Sequence, residues 1–566
     1  MPATVRTTHC AEPVQCNGRR LGGLVSVPAV FIGQKHDNTA SMTNDTQRPL
    51  TMHQHGRYVV WAVLVGVTVV LPWINPFSTG PRANTVPLLV SGFCALTLLV
   101  GYGLLQRGAS ARNPCQPTAV FVAWLAAALL SSAMGLAQYF GLADSLAPWV
   151  NVTTVGQAFG NLRQRNQFAS LTSVGLIALL YLARRFVPVG RARLGLSMGL
   201  VGAALGLLAL ANAASASRTG ALQWLMVTVM CWLPCQRRSR VLASAALLLY
   251  ALGVFLLPVV LEWLTGLPQS GLLNRLRESA GCESRKLLWA NVLELIAQKP
   301  WFGWGWGELK FAHFIYPYSG PRFCAILDNA HNLPLHLAVE LGIPLSTALC
   351  AAVLWWVWCR RPWREPDVHR QAAWAVLAII ALHSMVEYPL WYGPFQMATG
   401  LCVGLLWRRV PQKSLPTRCA PSVAKTAFAI VVATLLGGGL AYTAWDYTRV
   451  SQLYLLREQR LAAYQDHTLS KARPSRLFAQ EVQFAELTTF ALTDDNALRQ
   501  HNLARQLLHF SPEPRVLQKL LDSAILLGLD DPALRVVRQQ FAAAYPKAYA
   551  QWIHPTDPAG DAAFTP

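Results

Sequence analysis

The sequence predicts an all-α polytopic membrane protein with a helical, soluble C-terminal domain, and three observations support this fold class. Of the 566 residues, 53% are hydrophobic and 13% are charged, whereas about a quarter of the residues in a typical soluble domain are charged. Apolar stretches long enough to cross a hydrocarbon core of about 30 Å recur along residues 57–445. Residues 446–566 return to a soluble composition in which apolar side chains recur at helical spacing.

The transmembrane domain at 57–445 contains about eleven predicted spans. Several spans are short or contain Gly and Pro, so ten or twelve remain possible. The predicted spans are 58–75, 86–105, 117–140, 167–183, 194–213, 219–235, 241–261, 334–358, 371–386, 391–407 and 424–445. The preceding residues 1–56 are polar and lack the apolar core of a signal peptide, so they are predicted to form a disordered cytoplasmic tail. Met42 or Met52 could be the true start.

The formal net charge of +21 is concentrated in every second loop between the predicted spans. The basic residues of these loops are Arg107, Arg112, Arg184, Arg185, Arg191, Arg193, Arg237, Arg238, Arg240, Arg360, Arg361, Arg364, Arg370, Arg408, Arg409, Lys413, Arg418 and Lys425. Cytoplasmic loops of membrane proteins are enriched in Lys and Arg. The N-terminus is therefore predicted to be cytoplasmic, and the long polar loop at 262–332 to be periplasmic. Because the charge is explained by topology, no nucleic-acid binding is predicted.

The C-terminal domain at 446–566 is predicted to be a periplasmic group of helices, because an odd number of spans places it on the same side as the 262–332 loop. Apolar residues recur at helical spacing in 503–508 and 517–526, and Asp531 followed by Pro is typical of a helix start. Helix pairs of this kind are similar to tetratricopeptide-like repeats. The region either binds an acceptor or packs on the membrane domain as a structural cap.

Unusual polar residues gather at the predicted outer surface. The segment Gly160–Gln167 opens the fourth span with two arginines, and it is either a hydrogen-bonded helix cap or a contact for an anion or sugar. Arg218 opens the sixth span, where an arginine either snorkels to the interface or faces an anionic partner. Arg285 begins an apparent helix within the long loop. Because arginine binds phosphate oxygens in a bidentate manner, Arg218 and Arg285 together predict a site for a lipid-linked phosphate or pyrophosphate.

Three further ionisable side chains lie at the predicted outer surface. His331 closes the long loop, and it is either a base that takes a proton from a hydroxyl or an interface histidine with structural contacts only. His383 and Glu387 lie four residues apart on one helix face at the end of the ninth span. Ionisable residues at that depth indicate a substrate site rather than lipid contact. Tyr388 follows them at a depth typical of interfacial anchors, and His336 is predicted to be structural.

The positions of the cysteines and the lack of metal- and nucleotide-binding motifs limit the kinds of reaction that the sequence allows. Cys282 and Cys324 both lie in the long loop, so they could form a disulfide if that loop is outside the cytoplasm. The remaining cysteines show no zinc-ligand spacing, and the sequence predicts no metal site and no cofactor. It also contains no nucleotide-binding motif. Because nucleotide sugars are not available outside the inner membrane, a glycosyl donor would have to arrive already activated on a lipid.

These segments, in this order, resemble the O-antigen ligase and polymerase superfamily. Residues 329–344, which begin Asn-Ala-His-Asn, resemble its signature. The segments around Arg218 and Arg285, together with the Gly- and Trp-rich 300–307, are similar to its other shared elements. Residues 160–166 and 383–392 look like the corresponding segments of bacterial protein O-oligosaccharyltransferases, which glycosylate pilins and other exported proteins. The resemblance extends over about residues 58–445, and a soluble C-terminal region suits that subgroup.

The resemblance implies a class C type glycosyltransferase fold in the bacterial inner membrane. The implied donor is an oligosaccharide on undecaprenyl pyrophosphate, and the implied acceptor is a Ser or Thr hydroxyl of an exported, pilin-like protein. His331 is then the base, and Arg218 and Arg285 hold the pyrophosphate. The positions matched to donor or acceptor contacts are Gln164, Asn166 and Tyr388. No metal is needed if the two arginines neutralise the diphosphate.

Two other functions fit part of this pattern. The nearest is a ligase that moves O-antigen to lipid A–core, or a polymerase that extends the glycan. The more distant one is a transporter of lipid-linked glycans with arginines along its path. Transporters often contain inverted repeats, and no such symmetry is visible in this sequence. Arg165 stands where the family pattern has Pro, a difference that concerns the shape of the local loop.

Overall fold

The computed structural model describes residues 52–106, 115–186, 191–233, 237–266, 271–272, 281–407 and 423–554. Over these ranges the chain consists of α-helices, short 3₁₀ turns and connecting loops, without a β-strand. The first seven helices are α1 (Met52–Ile74), α2 (Thr85–Gln106), α3 (Cys115–Tyr139), α4 (Arg165–Arg185), α5 (Arg191–Ala214), α6 (Arg218–Trp232) and α7 (Arg237–Thr265). Helix α1 begins inside the predicted tail, whose residues 1–51 lie outside the described ranges.

The second half of the chain alternates short and long helices. Up to the end of the membrane region they are α8 (Arg285–Gln298), α9 (Leu309–Ile315), α10 (Leu333–Leu341), α11 (Ile343–Arg360), α12 (Val368–Ser384), α13 (Gly393–Trp407) and α14 (Val423–Ser451). The C-terminal helices are α15 (Thr468–Ala472), α16 (Ala479–Thr489), α17 (Ala497–Leu507), α18 (Pro514–Leu526), α19 (Pro532–Ala544) and α20 (Pro546–Ile553).

The long helices have the composition of membrane spans. Seven of the described helices are long and apolar enough to cross a membrane, namely α2, α3, α4, α5, α7, α11 and α14. The apolar part of α1, Val59–Ile74, is shorter. The predicted fold class, an all-α polytopic membrane protein, is therefore confirmed, whereas the count of about eleven spans stays a prediction.

Helix α4 lies at the centre of the membrane bundle. In its apolar window 89% of the residues are buried, compared with none in α14, and it packs against α3, α5, α6 and α12. Gly175 allows close packing against α3, because a Cβ at this position would lie 2.4 Å from the Cβ of Ala128. The central position of α4 fixes its N-terminal turn, which carries Asn166, relative to α6 and α12.

The predicted span at 334–358 is interrupted between α10 and α11. Gly342 has a φ of +86°, in the region that favours glycine, and a Cβ at this position would lie 2.2 Å from the carbonyl oxygen of Trp301. The backbone around the break bonds to the loop after α8, since Trp304 N donates to Val339 O at 2.8 Å and Ile343 N donates to Pro300 O at 2.8 Å. The Gly- and Trp-rich segment is thus held by backbone hydrogen bonds against this break.

The C-terminal helices continue directly from the membrane region. Helix α14 extends to Ser451, so the domain boundary predicted at 445 falls inside a helix. Just after that boundary, the fully buried Asp446 accepts hydrogen bonds from Arg449 at 2.7 Å and from Ser475 at 3.1 Å. The chain from Met52 onward groups into one compact unit, and a separate C-terminal domain stays a prediction.

One apolar cluster joins the C-terminal helices to the predicted periplasmic loop. Phe314 of α9 is buried together with Leu507 of α17 and Leu517 of α18. At the edge of this cluster His509 stacks on Phe311, with ring centroids 3.9 Å apart. Helix α9 is therefore part of the same core as the C-terminal helices.

Candidate active site

A cavity of about 980 Å³ lies where the N-terminal ends of α6 and α8 meet the turn after α12. Its polar and charged lining residues are Asn166, Ser217, Arg218, Thr219, Glu283, Ser284, Arg285, Lys286 and Glu387. Two helix N-termini that each carry an arginine favour an anion, because unpaired backbone N–H groups and the positive end of the helix dipole add to the side-chain charge. The structure thus brings the two predicted phosphate ligands, Arg218 and Arg285, to one cavity.

The start of α6 is built around Ser217. Its Oγ accepts a hydrogen bond from Gly220 N at 3.0 Å, which caps the helix, and donates to Asn166 Oδ1 at 2.7 Å. Asn166 Nδ2 in turn donates to Glu387 Oε1 at 3.1 Å. These bonds connect α4, α6 and the turn after α12, and Arg218 is left as an exposed residue of the first helical turn.

The start of α8 is fixed by a cap and by a covalent bond. Ser284 Oγ accepts a hydrogen bond from Leu287 N at 3.3 Å. Cys282 and Cys324, the pair considered for a disulfide, are bonded in the structure with their Cα atoms 5.6 Å apart. The bond ties the backbone before Arg285 to the segment that leads to His331.

His331 is presented by a short segment in which every residue has a structural task. Its φ is +50°, and its N donates to Asn329 Oδ1 at 2.8 Å. Ala330 is fully buried, and its carbonyl accepts a bond from Trp289 Nε1 at 3.0 Å. Asn332 caps α10 through Leu335 N and donates to the carbonyl of Met385 at 2.9 Å. The Asn-Ala-His-Asn sequence therefore aims the imidazole at the turn that carries Glu387.

Glu387 is the centre of the site. Its Oε2 lies 2.7 Å from His331 Nδ1, and its Oε1 pairs with Arg285 Nη2 and accepts from Asn166. The side chain is 3% exposed. Burial opposes its ionisation, but the hydrogen bond from His331 and the charges of His331 and Arg285 outweigh burial and hold the pKa of Glu387 below its usual value. Glu387 is thus a carboxylate that joins the predicted base to a predicted phosphate ligand.

The remaining predicted site residues occupy different positions. The Tyr388 ring packs edge-on against the His331 ring at 4.9 Å, and burial raises the pKa of Tyr388, so its hydroxyl stays protonated. Gln164 precedes α4, where its carbonyl accepts from Phe168 N, and it does not line the cavity. Arg163 joins the loop before α4 to the loop after α1, because its Nη2 donates to the carbonyl of Pro76 at 2.8 Å.

His383 does not reach the cavity. It is fully buried, and its Nδ1 lies 2.9 Å from Ser170 Oγ, which also accepts a bond from Gln223 Nε2 at 2.7 Å. This contact joins α12 to α4 and α6 beneath the site, so the predicted role of His383 in binding substrate is not supported by its position. Sequence reasoning missed Ser170 and Gln223, although buried polar residues in apolar helices are a signal for such contacts.

The arrangement can hold an anionic leaving group and deprotonate a nucleophile. Arg218, Arg285 and Lys286 line the cavity, and part of their charge is balanced by Glu387 and Glu283. With Nδ1 of His331 donating to the Glu387 carboxylate, Nε2 carries the lone pair that can accept a proton. A hydroxyl nucleophile and a phosphate-type leaving group are the reactants that these groups suit.

Models of three known protein families match segments of the chain that contain residues of this site. Residues 158–183 match the family model described as Protein glycosylation ligase, residues 203–350 match O-Antigen ligase, and residues 371–558 match Virulence factor membrane-bound polymerase, C-terminal. Asn166 falls in the first region, Arg218, Arg285 and His331 in the second, and Glu387 in the third.

The chain is also similar to a curated protein of Acinetobacter baylyi, a General O-oligosaccharyltransferase. The two are 26% identical over 381 residues, which is 64% of this chain and 62% of that relative. The match therefore spans less than two thirds of the relative's length.

Proposed function

We propose that the chain is a member of the O-antigen ligase superfamily that transfers an oligosaccharide en bloc from undecaprenyl pyrophosphate to Ser or Thr hydroxyls of exported proteins such as pilins. The observation that carries this proposal is the contact of Glu387 with both His331 and Arg285 at the edge of one cationic cavity. It couples a group that accepts a proton to a group that binds phosphate.

On the donor side, Arg218 and Arg285 bind the diphosphate of the lipid-linked glycan at the N-termini of α6 and α8. A diphosphate gains negative charge as the glycosidic bond breaks, so cations fixed in the cavity stabilise the transition state more than the ground state. In this proposal the arginines, rather than a metal ion, supply that charge. Lys286 adds a further cation to the lining.

On the acceptor side, His331 Nε2 takes the proton of the incoming hydroxyl. The hydroxyl oxygen bonds to the anomeric carbon while the bond from that carbon to the phosphate oxygen breaks, and undecaprenyl pyrophosphate leaves. Glu387 holds the imidazole through Nδ1 and stabilises the imidazolium that forms. A single displacement inverts the anomeric configuration, and product analysis by NMR should detect that inversion.

We place the reaction on the periplasmic face of the inner membrane, with a cytoplasmic N-terminus and the C-terminal helices on the periplasmic side. The distribution of Lys and Arg among the loops supports this topology. The bond between Cys282 and Cys324 supports it independently, because disulfides persist in the periplasm and are rare in the cytosol.

The identity of the acceptor distinguishes the proposed function from the related ligase and polymerase functions. The match to the O-Antigen ligase family leaves a lipid A–core acceptor or a growing glycan as the alternative. The name of the Acinetobacter relative and the match to Protein glycosylation ligase favour a protein acceptor. The C-terminal helices share a core with α9, and in this proposal they contact the acceptor protein.

Co-expression with a lipid-linked glycan and a candidate pilin tests the proposal. We expect a glycosylated pilin with the wild-type protein and none with His331→Ala at equal membrane abundance. His369→Ala is the matched control, since His369 lies at the start of α12, at the other end from Glu387, where its Nδ1 is 2.7 Å from the Tyr181 hydroxyl. If His331→Ala instead abolished long lipopolysaccharide and left pilin glycosylation unchanged, the protein would be a lipid A–core ligase or a polymerase.

A further inference from the structure

A second cavity, of about 530 Å³, lies at the opposite end of the membrane bundle. It is enclosed by the ends of α4 and α6, the start of α7 and the turn that leads into α12. Helix α4 connects the two cavities, and about 27 Å of helix separates Asn166 at one end from Arg184 at the other at 1.5 Å per residue. The second cavity therefore lies at the opposite end of α4 from the candidate active-site cavity.

The inner part of this cavity is apolar. Ile177 and Leu180 of α4 face it together with Val227 and Met230 of α6 and Ala372 of α12. Ile177 and Val227 are almost fully buried, with 4% and 3% exposed. A lining of this kind between transmembrane helices fits the upper part of an acyl chain.

The lining of the cavity also contains hydrogen-bond donors that lack acceptors. Ser239 Oγ, Trp374 Nε1 and Arg184 Nε are buried atoms of lining residues, and none has a partner within the part of the chain that the structure describes. Ser239 and Trp374 are only 2% and 7% exposed. A buried donor without an acceptor is costly, so three of them around one cavity point to a ligand with several acceptor oxygens.

The charge of the lining gives the sign of that ligand. Arg184 and Arg364 both line the cavity, and Arg184 Nη1 donates to the neutral amide oxygen of Gln371 at 2.9 Å. The acidic lining residue, Glu365, is already paired with Arg370 at 2.8 Å. The arginines are therefore not neutralised by a carboxylate of the lining, and they favour an anion.

We propose that this cavity binds one anionic phospholipid, with its phosphate at Arg184, Arg364 and Ser239 and the start of one acyl chain among the apolar residues. Basic pockets between transmembrane helices suit anionic headgroups. The apolar inner part distinguishes a phospholipid from a free phosphate ion, for which those residues would offer no contact. The site lies on the surface opposite the glycan-transfer reaction and takes a different ligand.

Native mass spectrometry of the full-length, delipidated protein tests this site. The protein is titrated separately with phosphatidylglycerol, phosphatidylcholine and glycerol phosphate. We expect one tightly held phosphatidylglycerol, and about fivefold weaker binding for each of Arg184→Gln and Arg364→Gln, since one arginine contributes that much near an anionic headgroup. Arg360→Gln is the control, because Arg360 lies over Trp407 at the end of α11 and does not line the cavity.

Three results would overturn the proposal: equal retention of phosphatidylcholine, glycerol phosphate binding as tight as that of phosphatidylglycerol, or unchanged phosphatidylglycerol binding in both arginine variants. Ser239→Ala removes only one buried hydroxyl and should also weaken binding, so the site stays testable if an arginine variant fails to fold. The assay needs no glycan donor or acceptor, and its outcome is independent of the proposed transferase function.

Discussion

His331 and Glu387 lie 56 residues apart in the chain and meet with 2.7 Å between Nδ1 and Oε2. With Nδ1 donating to this buried carboxylate, Nε2 is the imidazole nitrogen that is left to accept a proton. The same carboxylate holds Arg285. The proposed base and the proposed phosphate ligand therefore contact one side chain.

Glu387→Gln should lower the rate of glycan transfer about 100-fold or more, the usual effect of losing base assistance. The substitution preserves side-chain volume but removes the charge that stabilises the imidazolium and pairs with Arg285. Initial rates with a purified lipid-linked donor measure the loss. Glu365→Gln is the control, because Glu365 pairs with Arg370 beside the other cavity. Equal loss in both variants would contradict a specific role for Glu387.

Removal of the disulfide should weaken donor binding more than catalysis. In Cys282→Ser/Cys324→Ser the backbone before Arg285 is no longer tied to the segment before His331, so we expect KM for the donor to rise several-fold with a smaller change in kcat. Closure of a loop with a separation of 42 residues corresponds to about 4 kcal/mol in the chain-entropy description. Thermal unfolding should show a lower Tm for the double variant.

Chemical reduction of the wild-type protein is the control for the double cysteine variant. Dithiothreitol should reproduce the kinetic effect in the wild-type protein and have no further effect on the double variant. If it lowered the activity of both proteins equally, the effect would come from other cysteines, and the positioning role of the disulfide would be wrong.

His313 should make the protein less stable as the pH falls from about 6.5 to about 4. Burial and the nearby Arg322 lower the pKa of His313 to about 4, whereas an unfolded histidine has a pKa of about 6.5. Between these values the unfolded chain binds the extra proton, so stability falls with decreasing pH, by at most about 3 kcal/mol. Glu387, with its lowered pKa, loses its contribution only below about pH 4.3.

The difference between the pH profiles of Tm for the wild type and His313→Gln isolates this effect. In the variant the decline between pH 6.5 and 4 should be shallower, while both proteins should lose stability below pH 4. Parallel profiles over the whole range would show that His313 does not titrate in this way.

Gly342→Ala should destabilise the break between α10 and α11. The new Cβ would lie 2.2 Å from the carbonyl oxygen of Trp301 at a φ of +86°, so we expect a loss of at least about 2 kcal/mol. Gly320→Ala is the control, since a Cβ there meets no atom within 4 Å, and its effect should stay within about 0.5 kcal/mol. Limited proteolysis of the Gly- and Trp-rich segment should be faster in Gly342→Ala only.

The sequence predicted the long helices well, because a long run of apolar residues identifies such a helix without reference to its neighbours. It also predicted that Arg218 and Arg285 lie close together, since both begin helices on the predicted outer side, and both line one cavity. It did not predict the interruption at Gly342, because the apolar pattern runs through it. Gly342 followed closely by Pro344 was the local signal for that break.

Contacts between distant helices were the part that the sequence could not supply. That Glu387 joins His331 to Arg285, and that His383 is buried against Ser170, depends on which helices are neighbours. Helical periodicity defines a face but not its partner. The sequence therefore singled out Glu387 and His331 without their contact, and it grouped His383 with them although His383 is buried against Ser170.

The shared core of α9 and the C-terminal helices has a consequence for protein engineering and for recombination between relatives. Phe314 is buried with Leu507 and Leu517. A chimera joined after Ser451 would therefore pack α9 of one parent against the C-terminal helices of the other. An exchange of acceptor preference should succeed only when the segment containing α9 is transferred with the C-terminal helices. The two stretches, far apart in sequence, constitute one exchangeable unit.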